Sequence, residues 1–113
     1  MKLLNRSAFV LRPKDPYIQW ASAIDGEPPE SLSDLRDHVS VYLVPEEPTG
    51  TEETPPLSEY FAEIFDSELE AWSLDLDMWP QSRTLEMFQD WFEVYAESVI
   101  VDLGEGDIVI DDL

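Results

Sequence analysis

The sequence predicts an α+β domain: a small antiparallel or mixed sheet with helices packed on one face, in the order β-α-β-α-α-β-β. Three observations lead there. Two runs of strand formers stop at prolines, Ser7-Ala-Phe-Val-Leu-Arg12 before Pro13 and Val39-Ser-Val-Tyr-Leu-Val44 before Pro45. Later segments place apolar residues at helical spacing with acids on the opposite side. Four Trp, four Tyr and five Phe in 113 residues supply a core, since a buried aromatic removes about 150–250 Å² from water. The length suits a single domain, residues 1–113.

After the first strand, Asp15-Pro16 reads as an N-cap with proline at the first helical position, opening a short helix to about Ile24. Asp25-Gly26 ends it, and Glu27-Pro-Pro-Glu30 is a loop. Residues 31–37 suit one helical turn or irregular chain. In the second strand Val39, Val41 and Leu43 alternate with Ser40, Tyr42 and Val44. Residues 46–56 are rich in Pro, Glu and Thr and are expected to form a mobile surface loop.

From Leu57 to about Ser73, Leu57, Phe61, Ile64, Phe65 and Trp72 share about one 100° sector of a helix, the width of a core-facing stripe. A connection containing Trp79-Pro80 follows, and Thr84 or Ser82 can cap a further helix whose Leu85, Phe88, Trp91 and Phe92 share a face. Its end is unresolved between residues 94 and 98, where acidic spacing favours helix and β-branched residues favour strand. Ser98–Leu103, the turn Gly104-Glu-Gly106 and Asp107–Ile110 read as a C-terminal hairpin.

The net charge of −20 is confined to one part of the chain. Residues 1–36 balance five bases against five acids, whereas residues 37–113 hold 21 acids and a single base, Arg83. Such a surface repels nucleic acid and anionic lipid and attracts cations or basic proteins. The absence of cysteine removes disulfides and thiolate chemistry. Asn5 and Arg6 interrupt any signal-peptide core, and no apolar run reaches the roughly 20 residues of a membrane span. A cytoplasmic protein with no membrane partner is expected.

Three stretches, Asn5–Lys14, Val41–Glu46 and Trp79-Pro-Gln-Ser-Arg-Thr-Leu-Glu-Met-Phe-Gln-Asp-Trp-Phe92, resemble a group of short acidic bacterial proteins that carry no assigned activity. The resemblance covers much of the chain, implies a bacterial cytoplasmic protein and brings no catalytic residues with it.

Among candidate functional residues, Glu59, Glu63, Asp66 and Glu70 repeat the i, i+4, i+7, i+11 spacing of Glu86, Asp90, Glu93 and Glu97. On helices this sets carboxylates roughly 5–6 Å apart in two rows. Solvated helices need a polar face, but these faces lack the interleaved lysines of ordinary ones. The rows therefore point to recognition of a basic protein surface, while Trp79, in the connection before Pro80, either packs back over the helices or lies exposed as a desolvated anchor for that partner. A phosphate-like row also leaves open nucleic-acid mimicry toward a DNA-binding protein. The third reading is a small carboxylate-based, cation-dependent enzyme.

Glu68 falls about 20° from Leu57, inside the apolar sector. An arginine partner, Arg83 first, is expected to form a structural ion pair with it, because a buried lone carboxylate is costly. His38 stands alone without a second histidine or a marked nucleophile. Asp75-Leu-Asp77 and the acids of residues 102–112 lack the spacing of a calcium loop. No catalytic residue, metal or cofactor is assigned from the sequence.

Overall fold

A computed structural model describes residues 1–46 and 56–112. The chain runs through β1 (Lys2–Leu3), β2 (Arg6–Pro13), α1 (Asp15–Asp25), a 3-10 segment (Pro29–Asp37) and β3 (Ser40–Pro45). A 3-10 turn (Leu57–Glu59) leads into α2 (Phe61–Glu70), and another (Leu76–Met78) precedes α3 (Leu85–Trp91). Then come β4 (Phe92–Glu97) and β5 (Val101–Asp102). The expected loop at 46–56 falls almost wholly outside the described residues.

β2 is the centre of an antiparallel sheet ordered β3-β2-β4. Phe9 faces Tyr42 on one side and Ala96 on the other, and Leu11 faces Ser40 and Val94. Side chains alternate across a strand, so Phe9, Leu11, Tyr42, Val44, Phe92 and Val94 turn toward the helices. There they join Tyr17, Ile64, Phe65, Leu69, Trp79 and Phe88 in the main core. Phe65 lies 5.3 Å from the Phe88 ring and 5.8 Å from that of Phe92, fastening α2 and α3 to each other and to the sheet. A smaller cluster of Ile18, Ala21 and Leu35 holds α1 to the 3-10 segment. The architecture is α+β with helices on one face of the sheet, as the sequence pattern predicts.

Element ends follow local chemistry. α1 begins one residue earlier than expected: Lys14 occupies the cap position without a side-chain bond, Pro16 sits in the first turn, and Asp15 pairs with Arg36. Gly26 closes the helix at φ 76°, giving its N–H to the Ser22 carbonyl at 2.9 Å; a side chain would resist that left-handed turn. Thr84 caps α3 by accepting the Met87 N–H at 3.1 Å.

Two expectations near the C-terminus are corrected. The last helix ends at Trp91, because Phe92 takes extended dihedrals (φ −139°, ψ 142°) that seat its ring in the core opposite Pro13. Residues 98–110 do not form a hairpin. β5 pairs instead with β1, Leu3 opposite Val101, and the Leu4 N–H reaches the Ile100 carbonyl at 2.8 Å. Ile108, Val109 and Ile110 belong to no strand and are exposed.

Candidate recognition surface

Packing of Ile64, Phe65 and Leu69 into the core leaves the other side of α2 to solvent, where Glu63 and Glu70 are exposed. Glu59 is exposed in the turn just before it, and Glu86 and Asp90 are exposed on α3. No salt bridge among the described residues reaches any of these five acids; the two that form are Arg36–Asp15 and Arg83–Asp66.

Asp66 therefore differs from its neighbours. The Arg83 guanidinium donates to its carboxylate at 3.1 Å and to the Pro80 carbonyl at 3.1 Å, and lies 5.4 Å from the centre of the Trp79 ring. Trp79 is 7% exposed and donates its indole N–H to the Ser73 carbonyl at 2.8 Å. It is part of the core, which bears out the packed placement open to it in the sequence and removes the exposed-anchor alternative. The Arg83–Asp66 contact pins the 75–83 connection onto α2, and the indole bond ties it to Ser73 just beyond the helix.

Glu68 is half-buried within the apolar sector, as helical geometry predicts, but its partner is not Arg83. The Tyr42 hydroxyl donates to its carboxylate at 3.0 Å, and its backbone carbonyl accepts from Tyr17 at 2.6 Å. Arg83 is drawn to Asp66, across from the connection that carries it. Burial, and then the Glu68 charge, push the Tyr42 phenol up to about 12, against the opposing bond to Ser67. Burial, reinforced by Glu68, likewise raises the Tyr17 phenol.

The second acidic row is divided between two elements. Glu86 and Asp90 stay on α3, whereas Glu93 lies on β4 opposite Arg12, on the sheet face turned away from the helices. Glu97 shares that strand face, so the regular row of four does not exist on a single helix.

Other candidate groups have local roles. Asp75 accepts the Asp77 N–H at 3.0 Å, and Asp102 accepts the Gly104 N–H at 2.8 Å. Among the described residues, no three acidic or imidazole side chains cluster as a metal cage requires. His38 is exposed and shares a cavity of about 150 Å³ with Ser40, Glu68 and Trp72, with no hydrogen bond linking the imidazole to Glu68 or Ser40. Three bases, Arg12, Lys14 and Arg36, border an open depression at the start of α1, balanced by Asp15, Asp37 and Glu93.

One further feature was not anticipated. Tyr42, Leu43 and Val44 on β3 and Tyr60, Glu63, Ile64 and Ser67 on and just before α2 line a groove of about 240 Å³. The helix side has i, i+3, i+4, i+7 spacing, which is visible in the sequence. Its juxtaposition with the strand arises only from tertiary packing, where the Ser67 and Tyr42 hydroxyls also hydrogen-bond at 3.1 Å, Tyr42 accepting while its proton goes to Glu68.

Comparison with known protein families, characterised proteins and solved structures returns no match. Among the described residues no helix is long and apolar enough to cross a membrane.

Proposed function

We propose that this protein is a recognition module for a basic protein surface. The observation that carries the reading is the set of exposed acids Glu59, Glu63, Glu70, Glu86 and Asp90, none of which has a salt-bridge partner among the described residues. Glu63 and Glu70 on α2 and Glu86 and Asp90 on α3 belong to two helices that pack against each other on one side of the sheet, and Glu59 lies in the turn leading into α2. Uncompensated like charges cost folding stability through mutual repulsion, and a cationic partner would convert that cost into attraction. Long-range attraction of this kind raises association rates at low ionic strength.

The basic-surface reading is favoured over nucleic-acid mimicry because the second row is split between α3 and β4 and Asp66 is engaged by Arg83. A carboxylate-based enzyme has less support: the acids that are brought together make turn contacts rather than a shared site.

The test compares the protein with a Glu59→Gln/Glu63→Gln/Glu70→Gln variant as baits in a lysate of its own cells. A defined basic protein should be retained by the parent, released as salt rises, and lost by the variant. Recovery of the same abundant basic proteins by both baits would overturn the reading.

A further inference from the structure

β3 is an edge strand of an unusual kind. Its six residues, Ser-Val-Tyr-Leu-Val-Pro, carry no charge, and its outer backbone edge receives no hydrogen bond among the described residues. Edge strands are ordinarily blunted by charged side chains, proline, bulges or covering chain, because a bare edge is a template for another strand. In β3 the only such device among the described residues is Pro45 at its end, which leaves Ser40–Val44 open. Here the bare edge adjoins the groove whose far wall is the Tyr60, Glu63, Ile64, Ser67 face of α2. At about 240 Å³ the groove is smaller than the roughly 300–1,000 Å³ of small-molecule pockets, and it suits individual side chains of an extended chain.

The geometry points to β3 and α2 as a docking site for an extended basic peptide segment, added to the sheet as a fourth strand beside β3. This rests on the basic-surface reading above and specifies how the partner is held. An added strand has period two, so its side chains divide between two environments. Those beside Tyr42 and Val44 enter the groove, where Tyr60 and Ile64 can cover an aliphatic stem and exposed Glu63 can take a cationic tip. Those beside Val41 and Leu43, 59% and 52% exposed, extend an apolar strip on the opposite sheet face. The matching segment alternates Lys or Arg with β-branched residues. Backbone bonds supply affinity and the alternate pockets supply selectivity, as in other strand-addition complexes.

The other occupant to weigh is the C-terminal stretch of a second copy, whose Ile108-Val-Ile110 is exposed and strand-forming. Asp107, Asp111 and Asp112 flank it, which would bring further negative charge against Glu63 between two chains of net charge −20. Charge complementarity selects the basic segment.

The test uses the intact protein and fluorescein-labelled (Lys-Val)4, with twins N-methylated at the lysine or the valine nitrogens, and (Glu-Val)4. Anisotropy should show saturable binding of (Lys-Val)4, and the amide resonances of Tyr42, Leu43 and Val44 should shift. At least one methylated twin should bind about tenfold more weakly, because blocked N–H groups cannot pair with the edge. Glu63→Lys should lower affinity while leaving the melting temperature nearly unchanged.

Equal affinity of plain and methylated peptides, without shifts at residues 42–44, would overturn strand addition and leave basic recognition standing. Absence of (Lys-Val)4 binding, or equal binding of (Glu-Val)4, would also overturn it. A micromolar dimer that Val109→Lys abolishes would assign the edge to a second copy instead. Capture of a lysate partner is read separately, so the two proposals can fail independently.

Discussion

The Tyr42 hydroxyl and the Glu68 carboxylate, 3.0 Å apart, join the edge strand to the helix that lies alongside it. This bond, with the one to Ser67, holds the two walls of the groove in register. It also places a phenol where its ionisation is opposed by burial and by a neighbouring negative charge.

Alkaline stability should report that arrangement. The Tyr42 phenol titrates at about 12 in the folded protein against an ordinary value of 10.0, and Tyr17 is raised as well. Between these limits the folded state holds more protons than the unfolded chain, so stability falls as pH rises. The contribution is complete below pH about 10 and disappears through about 12. Tyr42→Phe should flatten this decline and cost about 1 kcal/mol at neutral pH, where it deletes the hydrogen bond. Urea unfolding at pH 7 and at stepped alkaline pH measures both effects.

Arg83 joins three groups, so its loss should exceed that of its ion-pair partner. Arg83→Ala removes the bonds to Asp66 and Pro80 and uncovers the Trp79 ring, for an expected cost of about 1–2 kcal/mol. Asp66→Asn should cost less than about 1 kcal/mol, because the pair is partly exposed. Denaturant midpoints of the two variants check the ordering, and quenching of tryptophan emission by iodide should rise only in Arg83→Ala.

Phe65 is fully buried among Phe88, Trp91 and Phe92. Phe65→Ala should cost about 3–5 kcal/mol, a large share of the roughly 5–15 kcal/mol available to a domain. Val41→Thr, on the sheet face away from the helices, should change stability by under about 0.5 kcal/mol. Calorimetric melting of the pair tests which sheet face is the core.

Ionic strength should raise the melting temperature. With net charge −20 and only two salt bridges among the described residues, repulsion dominates surface electrostatics and is screened within about 10 Å at 0.1 M salt. Moving from 10 mM to 500 mM sodium chloride should increase Tm by about 4 °C or more, and a flat profile would contradict the account.

Much of the fold was legible because its signals are local. The helical spacing of Phe61, Ile64 and Phe65 and the cap at Thr84 depend on residues a few positions apart, and the structure bears both out. The break at Trp91 was not legible, for a geometric reason. Positions i and i+4 lie on one side of both a helix and a strand, so Glu93 and Glu97 fit either period. The choice was made by tertiary pairing: Phe92 takes extended dihedrals opposite Pro13, and the residues after it pair with β2 while its ring stays in the core.

Other features depend on partners distant in the chain. Glu68 was correctly placed in the apolar sector, yet its partner proved to be Tyr42, 26 residues away, rather than an arginine. Trp79, in a connection without periodicity, could be buried or exposed as far as the sequence went, and its contacts with Ser73 and Arg83 decide for burial. The final strand took Lys2 and Leu3 as neighbours although Gly104 and Gly106 offered a nearby turn. The groove joins a legible helix face to a strand edge, and pairing order alone decides which edge is left bare.

The uncharged edge at β3 gives the protein's acidity a second consequence. With no lysine or inward charge to discourage stacking of one molecule on the next, mutual avoidance falls to the overall negative field. That field vanishes near pH 4.1, where the carboxylates are neutralised by protons and bases. Acidification should therefore drive β3-to-β3 pairing into dimers of molecules that are still folded, and high salt should ease the same approach while it steadies each monomer.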